Sequence, residues 1–380
     1  MKIEAVELIA TKIPVSRPHV MAIGTTLHQE NVLVKVYTDD EGLVGLGEAP
    51  HMVGTSGLGE SQHTVMTVLE KHIVPRIIGM NPLDIEAVHE AMKKAIPWNL
   101  RAKSAIDLAL YDILGKHLKT PAYNLLGGKY RDKVLLSSSL PITEYDKALK
   151  EAEEKIGKGY KILKQKIGFD ADHDVEMIRR LRDQFGYDLK LRADANQGYS
   201  VKTAIRAIKK MDKYELDFVE QPVAQWDFKG MAEVSKAVET PIMADEPVIT
   251  VKDVLHIIEE RAAQYLSIYI CKPGGILNAK KIATVAEAQD MQCYVGGALE
   301  GPPGTAAGLH FAASTPNVSL GCEVGGQSLL LTDVAKEPVT FKDGCLEVPN
   351  NPGLGIELDW NKVKECRVSS VTIPKDYKTG

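Results

Sequence analysis

Charged side chains recur at the ends of apolar runs in the middle of this chain, in a pattern suited to a hard metal ion and a mobile proton. The runs end in Leu163-Lys164-Gln165-Lys166, Arg192-Ala193-Asp194-Ala195-Asn196, Val219-Glu220-Gln221-Pro222 and Ala244-Asp245-Glu246-Pro247. A charge buried behind such a run is expensive unless it is paired or metal-bound. Asp194, Glu220 and Asp245 stand 26 and then 25 residues apart. One structural repeat between each places them on neighbouring strand ends, where they converge. Three hard oxygen donors with room for water and substrate suit Mg²⁺ or Mn²⁺ rather than zinc. The plainer alternative is a set of helix N-caps or surface acids, since Asp is common at such positions. Three in succession at matched spacing argue against it.

Lys164 and Lys166 alternate along a strand, so both point to one face. Close to each other and to a metal, one of them loses its proton more easily, because like charges disfavour the charged form. Such a lysine can serve as a base near neutral pH. A solvated pair on a strand edge is the bland reading, and its place directly before the carboxylate series weighs against it.

The elements that must position these groups fall into two textures. Residues 1–60 read as β-rich: Ile3–Lys12 and Asn31–Tyr37 are apolar or alternating, and the turn Asp39-Asp40-Glu41-Gly42 leads into Leu43–Gly47 as a hairpin. From about Ser61 the period becomes helical. Ile106, Leu108, Ala109, Leu110, Ile113 and Leu114 form one broad apolar face, and the segment stops at Gly127-Gly128. Beyond Val134, short apolar strands alternate with amphipathic helices about every 25 to 30 residues, the signature of parallel βαβ units. The strand candidates are Val134–Leu140, Ile162–Ile167, Leu189–Ala193, Phe218–Glu220, Ile242–Ala244, Leu266–Ile270, Cys293–Val295 and Val318–Leu320. About eight units closing on themselves make a barrel with its chemistry at the C-terminal strand ends. An open doubly wound sheet is the rival, but no GxGxxG follows an early strand. The expected fold is an α/β, (β/α)7β TIM-type barrel over residues 129–325. An α+β capping domain at 1–128 precedes it, and a segment at 326–380 packs back on that domain.

The LKQKIG, RADANQ, VEQP and ADEP segments resemble the enolase superfamily, in which a Lys or His base works with Mg²⁺ on an ene-diolate. The resemblance covers nearly the whole chain. Arg17-Pro18-His19, Tyr294-Val295-Gly296-Gly297 through Leu299-Glu300-Gly301-Pro302, and Leu329-Leu330-Leu331-Thr332 look like the muconate-lactonizing subgroup. The resemblance implies that Asp194, Glu220 and Asp245 ligate the metal, with Asn196 and Glu246 supporting them. It implies Lys166 as the acid/base, with Lys164 beside it neutralising the substrate carboxylate. Glu323 matches a carboxylate that hydrogen-bonds the substrate carboxylate, or is a satisfied core acid. Members usually carry a second lysine at the end of strand six; here Tyr269 holds that position and Lys272 follows three residues later. Tyrosine, with an ordinary pKa near 10, is a weak proton partner. The departure favours chemistry on one face, unless the register differs and Lys272 is the reacting group. Substrate choice is expected in the loops Ser16–Thr26 and Pro50–Gly59, with Arg17, His19, Met21, His51, Met52 and Gly54, and at Glu300; Gly-rich loops between rigid elements suit a lid.

Three readings follow. The first is a metal-dependent, muconate cycloisomerase-like isomerase acting on a small carboxylate, with a hydroxy-acid or sugar-acid dehydratase or an amino-acid-derivative epimerase as runners-up. A non-catalytic metal-binding barrel would have lost a ligand or the lysine pair, and neither is lost. A nucleotide-dependent enzyme lacks a phosphate-cradling loop. The chain of 380 residues has 44% hydrophobic and 26% charged residues and a formal net charge of −5, so no basic field gathers nucleic acid or anionic lipid. Five scattered cysteines without CxxC spacing argue against a disulfide framework or zinc knuckle. No apolar run approaches the roughly 18 residues of a membrane span, and MKIEAVELIATKIPV has no signal-like core. A cytoplasmic protein is expected, and by resemblance a homo-oligomer, a dimer or octamer.

Overall fold

The computed structural model describes residues 1–51, 59–326 and 329–376. Strand β1 (Ile3–Met21) pairs antiparallel with β2 (Gly24–Thr38), and β2 pairs with β3 (Val44–Ala49). Alternation decides which face is inside: Val6 and Leu8 of β1, and Val32, Val34 and Val36 of β2, are fully buried. The β1–β2 register shifts between Pro14 and His19. The far end of the hairpin is thereby turned independently of the sheet that carries it.

The buried helix Leu100–His117 crosses β3 at close range. A Cβ at Gly45 would lie 2.2 Å from the Ala109 carbonyl oxygen, and one at Gly47 1.8 Å from that of Ala105. Only glycine lets the strand and helix backbones meet there.

After a short strand β4 (Lys133–Leu135), seven parallel strands follow: β5 (Ser137–Leu140), β6 (Ile162–Lys166), β7 (Lys190–Asp194), β8 (Val219–Glu220), β9 (Ile242–Ala244), β10 (Tyr265–Ser267) and β11 (Gln292–Tyr294). Their spatial order is their sequence order, with helices such as Ala171–Phe185, Val201–Met211 and Ile276–Glu287 between them. The result is a mixed α/β fold with a curled parallel sheet, coarsely a TIM-type barrel, beside a β-rich N-terminal part.

No strand forms at Val318–Leu320, where the eighth was expected. Cys322 instead bridges both edges of the curl, in parallel with Leu136 and Val295. Ser137 N–H donates to the Cys322 carbonyl at 2.8 Å, and Val295 N–H to the Gly321 carbonyl at 3.1 Å. Gly321 has φ +86°, and a Cβ there would lie 2.5 Å from the Leu135 carbonyl oxygen. Ahead of the glycine, Leu320 N–H donates to the Cys293 carbonyl at 3.2 Å, so the expected run already meets β11, and only from Cys322 on is the other edge joined, by Cys322 N–H to the Leu135 carbonyl at 2.8 Å.

The strands β12 (Phe341–Lys342) and β13 (Cys345–Glu347) form a small sheet with β4, and β14 (Arg367–Pro374) pairs antiparallel with β1. Buried acids tie the N-terminal part to the curled sheet by capping helices. Asp107 accepts from Ile276 N–H at 2.5 Å and contacts His89 Nε2 at 2.8 Å. Glu48 accepts from Gly301 and Gly304 N–H, both at 2.9 Å, at the start of the helix Pro302–Ala313. Free N–H groups at a helix start favour such carboxylates. Among the described residues no helix is long and apolar enough to cross a membrane.

Asp112 is a third buried tie. Its carboxylate accepts from Leu46 N–H at 2.8 Å, Leu354 N–H at 2.9 Å and Lys116 Nζ at 2.6 Å. Asp112→Ala strands those donors and is expected to cost about 3 kcal/mol in urea unfolding. An unchanged midpoint would show the tie to be dispensable.

His310, buried in the helix Pro302–Ala313, donates from Nε2 to the Leu354 carbonyl at 3.0 Å. Burial pushes its pKa down to about 4. The folded form thus binds fewer protons than the unfolded chain between about pH 6.5 and 4. Stability from this group is present above pH 6.5 and falls by about 3 kcal/mol as the pH drops through that window. His310→Gln should flatten that part of the stability–pH curve; an unaltered slope would refute the assignment.

Candidate active site

The parallel register aligns the charged strand ends. Lys166 lies level with Asp194, and Asp194 with Glu220, across β6, β7 and β8. Asp245 follows β9 directly. All of these side chains are buried. Lys166 Nζ sits 2.6 Å from Asp194 Oδ2 and 3.0 Å from Asn196 Oδ1. Lys164 Nζ reaches Glu220 at 2.8 Å, Glu323 at 2.5 Å and Asp194 at 3.4 Å. Lys272 Nζ lies 2.6 Å from Asp245 Oδ1 and donates to the Ser267 carbonyl at 3.2 Å.

The backbone is bent hard where the carboxylates must turn inward. Asn196 and Gln221 have φ of +39° and +37°, in the left-handed region that non-glycine residues avoid. Asn196 N–H donates back to Asp194 Oδ1 at 2.9 Å, and Asp245 N–H donates to Gln221 Oε1 at 3.0 Å. These bonds hold the bends in place, as expected where strain serves a site.

Opposing effects set the protonation of the cluster. Burial alone would raise the Asp194 carboxyl, but Lys166 and Lys164 outweigh it and hold the group below the usual carboxylate range. Burial lifts Glu220 to about 8, with Lys164 working against it and Asp194 adding to it. Glu246 is raised by burial and by Asp245 and Asp194. Lys164 is raised despite its burial, because Glu220, Glu323 and Asp194 surround it.

One pocket opens onto this cluster. Lys166, Asn196, Asp245, Glu246, Tyr269 and Glu323 line its charged end. His19, Met21, Ile23, Leu299 and Leu329 line the rest, together with Ser137, Ser138 and Ser139 of β5. Tyr269 hydroxyl lies 3.4 Å from Asp245 Oδ2, and burial, Asp245 and Glu220 push its pKa up. A Cβ at Gly296 would collide with the tyrosine ring at 2.0 Å, so a side chain there would displace it. Burial, then Lys166 and Lys155, lower His19 to about 3, which keeps the ring neutral.

Several residues expected in the pocket lie elsewhere. Lys272 is fully buried beneath Tyr269, its ammonium 4.3 Å from the ring centroid, and does not line the pocket. Arg17 points outward to Glu154 at 3.0 Å and Glu151 at 3.9 Å on the helix Tyr145–Gly157. Arg17 falls in the stretch between Pro14 and His19 that has no partner on β2, whereas His19 and Met21 are paired again. His51 takes Asn31 as its partner, through its backbone N–H at 3.0 Å. Glu300 accepts from Ala298 N–H at 2.8 Å and lines a neighbouring crevice with Gln29 and Asp333. Met52 and Gly54 lie outside the described residues. Leu299 and Leu329 entered the sequence reading only as marks of a subgroup, and the serines of β5 went unnoticed; the signal available was the Ser-Ser-Ser run that opens the first strand of the curl.

Among the described residues no group of three acidic, His or Cys side chains is poised around an ion position. The ammonium groups of Lys164, Lys166 and Lys272 stand between the carboxylates. The donor set nevertheless fits a hard cation: Glu220 Oε1 and Glu246 Oε2 are buried without a hydrogen-bond partner. Asp194, Glu220 and Asp245 add oxygen donors from three adjacent strands.

Residues 4–127 match the mandelate racemase/muconate lactonizing enzyme N-terminal domain, and residues 147–362 the enolase C-terminal domain-like family. The chain belongs to the enolase superfamily. It is 32% identical over 369 residues to an N-succinyl-L-Arg/Lys racemase of Bacillus cereus, covering 97% of this chain and 98% of that one. The muconate lactonizing enzyme of Pseudomonas fluorescens, solved with muconolactone, is 32% identical with a TM-score of 0.93, over 96% of this chain and 99% of that one. A Cytophaga hutchinsonii dipeptide epimerase, solved with Mg and D-Ala-L-Val, is 30% identical with a TM-score of 0.93, over 98% and 100%. The superfamily fold is thus shared with both cycloisomerases and epimerases, and members of this enolase superfamily use Mg²⁺.

Magnesium at about 100 times its dissociation constant is expected to stabilise the protein by about 2.7 kcal/mol, read as a rise in melting temperature. Asp194→Asn should lose most of that rise. An equal rise in both proteins would place the cation elsewhere.

Proposed function

We propose that this chain is a divalent-metal-dependent isomerase. It forms an enolate next to a substrate carboxylate and moves the proton with Lys166. Asp194, Glu220 and Asp245 would hold the metal, in a (β/α)7β barrel over 129–325 that is capped by 1–128 and completed by 326–380. The bound cation would supply positive charge to the enolate oxygens. Lys164, held among Glu220, Asp194 and Glu323, would balance the substrate carboxylate.

One observation carries the reading. Lys166 and Tyr269 line the same pocket, and they leave strands β6 and β10, each second from an edge of the curl. With the edges joined through Cys322, those strands face each other. One face of the pocket therefore offers an amine and the other a phenol. Chemistry on one face suits a lactone-forming cycloisomerase. The internal carboxylate adds to a double bond, the π electrons move to the enolate, and the Lys166 ammonium delivers its proton to the α-carbon. Asn196 and Asp194 hold the Lys166 amine in place for that transfer.

The second reading is epimerisation of an amino-acid derivative, which the named activities of the Bacillus and Cytophaga proteins support. It requires proton transfer on both faces. Both readings place deuterium at the α-carbon in D₂O, so the product separates them: a lactone from cis,cis-muconate for the first, and inverted configuration in the deuterated N-acyl amino acid for the second. Lys166→Ala is expected to lower any turnover or exchange by about 10²–10⁴-fold, the usual contribution of an acid/base group. Tyr269→Lys should add inversion of configuration that the wild type lacks. Wild-type inversion that disappears in Tyr269→Phe would sink the one-face mechanism in favour of epimerisation.

A further inference from the structure

The mechanism uses the charged end of the pocket and leaves its serine wall without a role. Ser137 and Ser139 lie on one face of β5 by strand alternation, are 3% and 6% exposed, and line the pocket. Ser137 Oγ is buried with no hydrogen-bond partner. A buried hydroxyl left so costs about 1–3 kcal/mol, which a ligand oxygen would recover. Ser139 Oγ lies 3.4 Å from His19 Nε2. With Nε2–H donating to it, the Ser139 hydrogen remains available to a ligand.

The charges around the wall define what it can bind. The acids Asp245, Glu246 and Glu323 line the pocket, and among the described lining residues Lys166 is the sole lysine or arginine. Two cations near the wall are engaged outside the pocket: Arg17 is turned away onto Glu154, and Lys155 is held by the Ser139 carbonyl and by Glu151 at 2.9 Å. Residues 52–58, outside the described set, contain no charged side chain. Recognition beyond the reacting carbon therefore falls to neutral hydroxyls beside an apolar surface from Met21, Leu299 and Leu329.

We propose that Ser137 and Ser139 form the subsite for the distal group of the substrate, donating hydrogen bonds to a carbonyl-type oxygen beyond the carbon that Lys166 serves. The inference rests on the enolate-forming reading above. The acceptor is the second carboxylate in a lactone-forming substrate, or an amide carbonyl in an N-acyl or dipeptide substrate. Hydroxyl donors suit both. They orient an attacking carboxylate without the cation pairing that would blunt its nucleophilicity, and they satisfy a neutral carbonyl without stranding a charge.

The test is calorimetric titration of the Mg²⁺-loaded protein with three probes: cis,cis-muconate, N-acetyl-L-leucine and hexanoate. Hexanoate has a carboxylate and an apolar tail but no second acceptor. At least one acceptor-bearing probe should bind more tightly than hexanoate, and which one does so identifies the acceptor. The Ser137→Ala/Ser139→Ala double variant should weaken that probe by about 10- to 30-fold, leaving hexanoate within about twofold. Unchanged hexanoate binding also shows that the variant pocket is folded. The proposal falls if no acceptor probe binds better than hexanoate, or if the variant weakens all probes alike or none of them. Loss of α-deuterium exchange in Lys166→Ala reports on the enolate reading separately, so the two can fail independently.

Discussion

Everything about this site depends on a buried lattice of opposite charges. Lys164, Lys166 and Lys272 stand against Asp194, Glu220, Asp245 and Glu323 in the mouth of the curled sheet, with separations of 2.5 to 3.4 Å. A lone ammonium or carboxylate so deeply buried would neutralise itself or unfold its surroundings. Each is tolerable because its neighbours are opposite in sign. Buried pairs of this kind are weak sources of stability, and their persistence here points to chemistry.

The lattice in turn demands a rigid frame. In-register parallel strands place one charge at each successive strand end, and Cys322 joins the two edges so that the ends surround a common pocket. The N-terminal part is fastened on by Asp107 and Glu48, which cap helices of the curled sheet. That fastening holds the β1–β2 hairpin, with His19 and Met21, over the open side.

Tyr269 and Lys272 occupy different levels of this frame. Lys272 is spent on Asp245 and the Ser267 carbonyl beneath the pocket, whereas Tyr269 looks into it. The face opposite Lys166 therefore carries a hydroxyl. Superfamily relatives named as a muconate lactonizing enzyme and as a dipeptide epimerase share the surrounding architecture, so the fold by itself does not select the reaction.

Much of this was legible without coordinates, because parallel βαβ units repeat a simple rule. An apolar run ends, a charge follows, and a helix begins. The spacing of Asp194, Glu220 and Asp245 and the alternation of Lys164 and Lys166 carry that rule in local sequence. So does the helical face of Ile106 to Leu114, which the structure buries against β3. Long-range geometry was not legible. Nothing local shows that the closing segment joins both edges only at Cys322, since that depends on its approach to Leu135 and Leu136, far away in the chain. Nothing local shows that Arg17, in the stretch without a partner on β2, lies outward on Glu154 while His19 lines the pocket. The serines of β5 look like ordinary strand residues until the curl brings them beside Lys166. By itself the sequence determined which charged side chains stand at the strand ends, because periodicity and burial cost act over a few residues. Only the tertiary structure decided which of them meet and what wall faces the substrate, because those depend on contacts between segments hundreds of residues apart.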